Sequence, residues 1–352
     1  MTSSDVPPPT LRLRIDRDSV ASNWRALDRL SASAAAGAAI KADAYGIGVD
    51  HAAPILREAG AQDFFVAHWG EVREVAKYVP CGAISVLHGP LTSEDCDYAR
   101  SVGVRPVINS VQQAKLWTET GGGPCDVMVD TGINRLGLEM GDLADSAIAK
   151  LDIDLLMSHL ASADEDSPLN QKQLSRFKEV CARIPARRRS LANSAGIVLG
   201  RDYAFDVTRP GLSLYGGIPC AELEAEIRQV AFIEAAIVQC RSLSPGDSVG
   251  YNATFVADAH MRVGVISIGY ADGFLRAWGG RETMLRSNGA ALPLLGRVSM
   301  DMVVVDLAAA SHLREGDWVE VPYHLPAAAD ATGLSQYELL TILGHRFDRT
   351  AR

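Results

Sequence analysis

The sequence predicts an α/β protein: an N-terminal (β/α)8 barrel joined to a C-terminal antiparallel, β-rich domain. Three observations point there. Short apolar, β-leaning runs alternate with segments of helical period through the first part of the chain. The pattern changes after Gly216–Gly217 to alternating polar and apolar residues broken by turn signals. The length, 352 residues, suits one large barrel plus a smaller module.

Taken in order, the run Ala38–Ile40 precedes a helical stretch at His51–Ala59, and Phe64–Ala67 precedes another at Glu71–Tyr78. Ile84–Leu87, Arg105–Ile108, Val127–Val129, Leu155–Leu160 and Ser190–Asn193 continue the series. Gln171–Arg183 is the clearest helix, with Leu174, Phe177, Val180 and Cys181 on one face. Repeated βα units of this length imply parallel strands. Eight or so of them fit a barrel. An open doubly wound sheet is the runner-up, and periodicity separates the two poorly. Beyond Glu222 the turn signals are Ser244–Asp247, Asp272–Gly273, Ser287–Gly289 and Glu315–Asp317. Leu11, Leu13 and Ile15 alternate with polar partners and supply one further strand. The expected division is a loose tail over 1–10, a strand at 11–18 joining the C-terminal domain, a barrel over 19–222 and the β-rich domain over 223–352.

Composition excludes several classes. Lys and Arg number 34 against 43 Asp and Glu, a formal net charge of −9. Nucleic acid and anionic membrane surfaces both call for a basic face, so neither is an expected partner. No apolar stretch is long enough to cross a bilayer, and the start MTSSDVPPPT lacks the pattern of a secretory leader. Six scattered cysteines without zinc-like spacing read as reduced thiols of a cytoplasmic protein. His51, His68, His88, His260, His312, His324 and His345 show no ligand spacing, so no metal is expected. HExxH, GxSxG, Walker and GxGxxG elements are missing from any helpful context.

Lys41 closes the first apolar run. A barrel places its active site at the C-terminal ends of its strands. Burial there disfavours a charged amine and prepares it to attack an aldehyde. A snorkelling strand-end lysine is the commoner reading of such a residue alone. The surrounding residues change that. Lys41-Ala-Asp-Ala-Tyr45-Gly-Ile-Gly48 resembles the cofactor-lysine motif of the alanine racemases. Val129-Asp-Thr-Gly-Ile-Asn-Arg135-Leu-Gly, Ser158-His159-Leu-Ala-Ser-Ala-Asp-Glu165, Ala192-Asn193-Ser194-Ala and Arg209-Pro-Gly211-Leu-Ser-Leu-Tyr-Gly216 follow in the family's order. Gly269-Tyr270-Ala-Asp-Gly273, Gly296-Arg-Val-Ser-Met300-Asp301 and a shorter match at Tyr337-Glu338 complete the set.

The resemblance implies a pyridoxal 5'-phosphate enzyme that interconverts L- and D-alanine.

 The activity implied is racemisation by two bases, supplying D-alanine for peptidoglycan, in a homodimer with shared active sites. Lys41 would be the Schiff-base lysine and the base on one face of the substrate Cα. Tyr270, delivered from the partner subunit, would be the base on the other face. A phenol is a poor base at neutral pH without a neighbouring cation, and His159, backed by an arginine, is the candidate for that help. The phosphate would be held by Tyr45, Asn193, Ser194, Gly211, Leu212 and Tyr337. Arg209 would face the pyridine nitrogen. An always-charged donor there keeps that nitrogen unprotonated and weakens the ring as an electron sink, which favours racemisation over other outcomes. Arg135 would contact the phenolic oxygen and the substrate, and Met300 and Asp301 would offer backbone N–H groups to the substrate carboxylate.

The chain departs from the common family pattern at two places. Many members carry a carbamylated lysine seven residues before the arginine at position 135; here that residue is Met128. No carbamate can form, and an anion such as chloride is expected to neutralise Arg135. Family members often end in Arg-Val-Pro-Arg, where this chain has Arg346-Phe-Asp-Arg349. Three other readings stay open at this point: a broader racemase acting on serine or other small amino acids, a pyridoxal decarboxylase of the same two-domain plan, and a non-catalytic cofactor carrier. Arg209 weighs against the second, and the C-terminal domain with Tyr270 against the third.

Overall fold

The computed structural model describes residues 7, 9–279 and 283–352. Most of the expected tail, residues 1–6 and 8, lies outside them. The described chain forms two compact units, one spanning Asp18–Arg228, the other combining the segment up to Arg17 with Gln229–Arg352.

The first unit is a closed parallel barrel. Strands Ala38–Ala39, Phe64–Val66, Ile84–Val86, Arg105–Ile108, Pro124–Met128, Asp152–Met157 and Arg188–Ser190 pair in that order. An eighth strand, Val207–Thr208, pairs with Ala35–Ala36. Its other edge is joined to the seventh strand and the residues after it, through Asp206 N–H to Arg189 C=O (3.0 Å) and Arg209 N–H to Ala192 C=O (2.8 Å). These bonds close the ring and exclude the open sheet. The eighth strand is two residues long and carries no visible period, so the sequence reading did not single it out.

Local chemistry explains where the helices start. Thr92 caps Ser93–Val102 in a capping box with Asp95, and Ser110 caps Val111–Glu119 by accepting from Gln113. Ser167 caps Pro168–Arg183, whose proline occupies the first turn, where its missing N–H costs nothing. That helix buries Leu174, Phe177 and Val180; Cys181, expected on the same face, is only half-buried.

Within the barrel sits a network of charges. Arg105 contacts Asp63 (3.2 Å), Asp126 (3.3 Å) and Asp154 (3.6 Å), while Arg188 pairs with Asp63 (2.7 Å) and Asp154 (2.6 Å). Asp126 is fully buried and also accepts from Ser85 Oγ (2.6 Å) and the Leu155 amide (3.1 Å). Burial pushes the Asp126 carboxyl above its ordinary range, with Arg105 opposing. Hydrogen bonds that Arg188 donates to Asp63 and Asp154 hold it firmly charged.

The second unit is antiparallel apart from one parallel edge. The long strand Ala231–Leu243 pairs with Met261–Ile266, Trp318–Val321 and Leu11–Ile15. Met261–Ile266 continues through Val303–Asp306, Ala290–Leu295 and Met284–Ser287 back to Trp318–Val321, closing a second ring. Asp348–Ala351 adds in parallel beside Leu11–Ile15. Along that strand Leu11, Leu13 and Ile15 are buried, while Arg12 and Arg14 lie over the rings of Trp318 (3.6 Å) and Phe232 (4.0 Å). The turn signal at Ser287–Gly289 is a tight hairpin. Asn288 (φ 47°) and Gly289 (φ 84°) take the two left-handed positions that a twisted two-residue turn requires.

Candidate active site

Lys41 stands directly after the first barrel strand and opens an unusual turn. Ala42, Asp43, Ala44 and Tyr45 all have φ between 52° and 57°, followed by Gly46 at 82°. A left-handed turn costs roughly 1–2 kcal/mol per non-glycine residue, so neighbouring contacts must hold it. Glu71 provides the main one. One carboxylate oxygen accepts from the Ala42 amide (2.6 Å), and the other from the amides of Ala67 (2.6 Å) and His68 (3.0 Å). Asp43 accepts from Val49 N–H (2.7 Å) and anchors the far side. Nothing in the sequence marks Glu71, which reads as an ordinary helix residue.

Four nitrogen groups at the barrel mouth act on one another. Burial lowers the Lys41 pKa, repulsion from Arg135 and Arg209 adds to it, and Glu71 opposes it. His159 is pushed down to about 3 by burial and then by Arg209, Arg135 and Lys41. Its surroundings therefore favour the neutral imidazole. Arg209 is buried and lowered to about 10 by burial, so it remains charged at neutral pH. It donates to Ser190 Oγ and to Ser158 C=O (2.5 Å). Asp206, a possible partner by sequence proximity, instead accepts from the Arg189 amide (2.8 Å).

Arg135 is exposed, and its amide donates to Asp130 (2.9 Å). Among the described residues its guanidinium has no ion pair or hydrogen bond. It lines a cleft of about 600 Å³ with Asn109, Asp130, Asn134 and Arg176. Met128 is buried at the end of its strand.

Tyr45 packs on Tyr215, with ring centroids 5.0 Å apart, and approaches Gly211 closely. A methyl group at Gly211 would lie 2.2 Å from the Tyr45 hydroxyl oxygen, so only glycine fits. Ser194 is not a helix cap: its Oγ accepts from the amides of Gly211 (3.0 Å) and Ser213 (3.3 Å), tying two loops together. Asn193 accepts from Gly196 N–H (2.9 Å). Leu212 is buried between them in sequence, and Ser213, which the sequence reading missed, is fully buried with an unpartnered Oγ. A buried orphan hydroxyl beside a glycine cradle and a tyrosine phenol is a donor set suited to an anionic group such as phosphate.

The second unit brings the remaining residues together in part. Tyr270 begins a short turn whose amides reach the next loop, Tyr270 N–H to Ser299 C=O (3.1 Å) and Ala271 N–H to Met300 C=O (3.0 Å). Arg276, not singled out from the sequence, lies 5.5 Å from the Tyr270 ring centroid and is the cation beside that phenol. Asp301 pairs with Arg346 (2.7 Å). Met300 is 53% exposed. Tyr337 lies on the helix Gln336–Thr341 and is 44% exposed.

A parallel barrel with a desolvated strand-end lysine, on a chain that also carries an antiparallel β unit, is the plan of a two-domain barrel enzyme. Family models decide which. That described as "Alanine racemase, N-terminal domain" matches residues 15–219, and "Alanine racemase, C-terminal domain" matches 230–351. The chain belongs to the alanine racemase family. It is 39% identical to "Alanine racemase, biosynthetic" of Agrobacterium fabrum, over 96% of this chain and 93% of that protein. It is 40% identical to the alanine racemase of Rhizobium meliloti over 99% of both chains. Among solved structures, the Bartonella henselae alanine racemase with covalently bound pyridoxal phosphate superimposes with a TM-score of 0.89 at 34% identity, covering 98% of this chain and all of that one.

Proposed function

We propose that the protein interconverts L- and D-alanine with pyridoxal 5'-phosphate, using Lys41 and Tyr270 as bases on opposite faces of the substrate Cα. The observation that carries this reading is the desolvated Lys41 amine on its braced turn, in a chain that matches the family over both units. Tyr45, Asn193, Ser194, Gly211, Leu212 and Ser213 would hold the phosphate, with Tyr337 as a further contact. Arg209 would face the pyridine nitrogen. Bound there, the cofactor supplies a sink for the electron pair left when the Cα–H bond breaks. Lys41 takes or returns the proton on one face; its lowered pKa keeps more of the amine neutral than in a free lysine. Tyr270 does the same on the other face, with the Arg276 guanidinium packed over its ring. Neutral His159 contributes shape and hydrogen bonding rather than charge. Arg135 and the amides of Met300 and Asp301 orient the substrate.

The protein would act in the cytoplasm as a homodimer, one protomer's Tyr270, Met300 and Asp301 completing the site of the other. Exposed Met300, Met302 and Tyr251, all in the second unit, support such a contact surface. No described helix is long and apolar enough to cross a membrane. The D-alanine product would serve peptidoglycan synthesis. Loss of optical rotation from L-alanine, compared with L-serine, tests the activity and its breadth. Unchanged rotation with the cofactor-loaded protein would sink the proposal, and equal rates with serine would replace it with a broader racemase.

Two substitutions probe the site. Overpacking costs about 1–3 kcal/mol, so Gly211→Ala should weaken cofactor binding by roughly tenfold or more, read by fluorescence titration. Tyr270→Phe must slow both directions equally in kcat/KM, because mirror-image amino acids have equal free energies. Its signature is in partial exchange. In D2O one enantiomer should still trade its Cα proton through Lys41 while the other does not. Exchange from both enantiomers at wild-type rates would remove Tyr270 from the role.

A further inference from the structure

We infer that Arg346 is a positioning residue for this reaction: it fastens the Tyr270 turn to the Met300–Asp301 turn and masks the Asp301 charge. The inference rests on the roles proposed above for Tyr270, Met300 and Asp301. Asp272, two residues after Tyr270, has a fully buried side chain. One of its oxygens accepts from Arg346 Nε (2.6 Å), the other from Arg346 Nη2 (2.8 Å) and from the Gly269 amide (3.0 Å). The remaining nitrogen, Nη1, donates to Asp301 (2.7 Å). One guanidinium thus grips two carboxylates, bidentate on the first, a geometry that lysine cannot reproduce.

The segments it joins already touch at backbone level. A methyl group at Gly269 would lie 2.3 Å from Met300 C=O, and one at Gly344 would lie 2.6 Å from Ala271 C=O. Gly344 N–H also donates to Asp272 C=O (3.3 Å). The Tyr270 turn, the Met300 loop and the C-terminal segment therefore meet at one point, and Arg346 is the side chain that closes it. Two effects follow from its removal. The buried Asp272 loses its cation, and the turn carrying the phenol shifts; a misplacement near 1 Å can cost about a hundredfold in rate. Asp301 also becomes an unmasked charge beside the amides meant for the substrate carboxylate, and repels it.

The test uses the cofactor-loaded enzyme with alanine. Arg346→Gln should lower kcat by roughly tenfold to a hundredfold and raise KM about fivefold. Adding Asp301→Asn to Arg346→Gln should return most of the KM effect and none of the kcat effect. Arg346→Lys should keep KM near wild type while kcat stays low, since it keeps charge and loses the grip. In D2O, Arg346→Gln should slow Cα exchange selectively for the enantiomer that depends on Tyr270. An equal loss of exchange for both enantiomers without rescue by Asp301→Asn would show a structural role only and overturn the inference, as would unchanged kcat and KM. Failure of the underlying base assignment is separate: it would appear as normal exchange from both enantiomers in Tyr270→Phe.

Discussion

Replacing Lys41 with alanine is expected to abolish the visible absorbance of enzyme-bound cofactor and to lower racemisation by about a thousandfold or more. In the proposed mechanism the residue supplies two functions at once, the covalent attachment and one of the two bases, and no second lysine is placed on that turn. The sign of the pH dependence follows from its surroundings. Burial and the Arg135 and Arg209 charges lower the Lys41 pKa, so its amine becomes nucleophilic at a lower pH than a free lysine. Cofactor loading of the apoprotein should have its midpoint at a lower pH than imine formation by a free lysine. Arg135→Gln should move that midpoint up, and Glu71→Gln should move it down, because Glu71 opposes the shift. Absorbance followed against pH checks all three. Full activity in Lys41→Ala would refute the assignment outright.

The second large effect is on stability. Arg105→Ala should destabilise the protein by about 3–5 kcal/mol, the usual cost of leaving a buried charge without its partner. Arg105 touches three aspartates, and Asp126 among them has no exposure to water. Urea unfolding followed by circular dichroism measures the loss. The penalty should shrink on the acid side. The folded pKa of Asp126 is raised, so as pH falls through it the carboxyl takes a proton in the folded state and its uncompensated charge disappears. A loss below about 1 kcal/mol at neutral pH, independent of pH, would mean that the network is solvated.

Much of the fold was readable because its signals are local. The βα alternation and the Ser287–Gly289 turn signal each act over a few residues. Strand ends were less legible. The apolar runs read as Leu155–Leu160 and Ser190–Asn193 continue past strands that end at Met157 and Ser190. Leu160, Leu191 and Ala192 stay buried after the pairing stops, so burial outlasts the strand. These overruns carry Ser158, His159 and Asn193 to the barrel mouth.

The motifs singled out Lys41, Ser194, Arg209 and Tyr270 as candidate site residues. What the motifs could not carry was the state of those groups. Burial, and after it Arg209, Arg135 and Lys41, push His159 towards its neutral form. The left-handed turn after Lys41 contains no glycine until Gly46, and it stands because Glu71, 29 residues from Ala42, accepts its first amide. Arg346 reaches Asp272 across 74 residues of chain. Composition and period determined the layers and the order of the elements, since those depend on nearest neighbours along the chain. Charge state, strain and clamping were decided only by folding, since each depends on groups that the chain brings together from far apart.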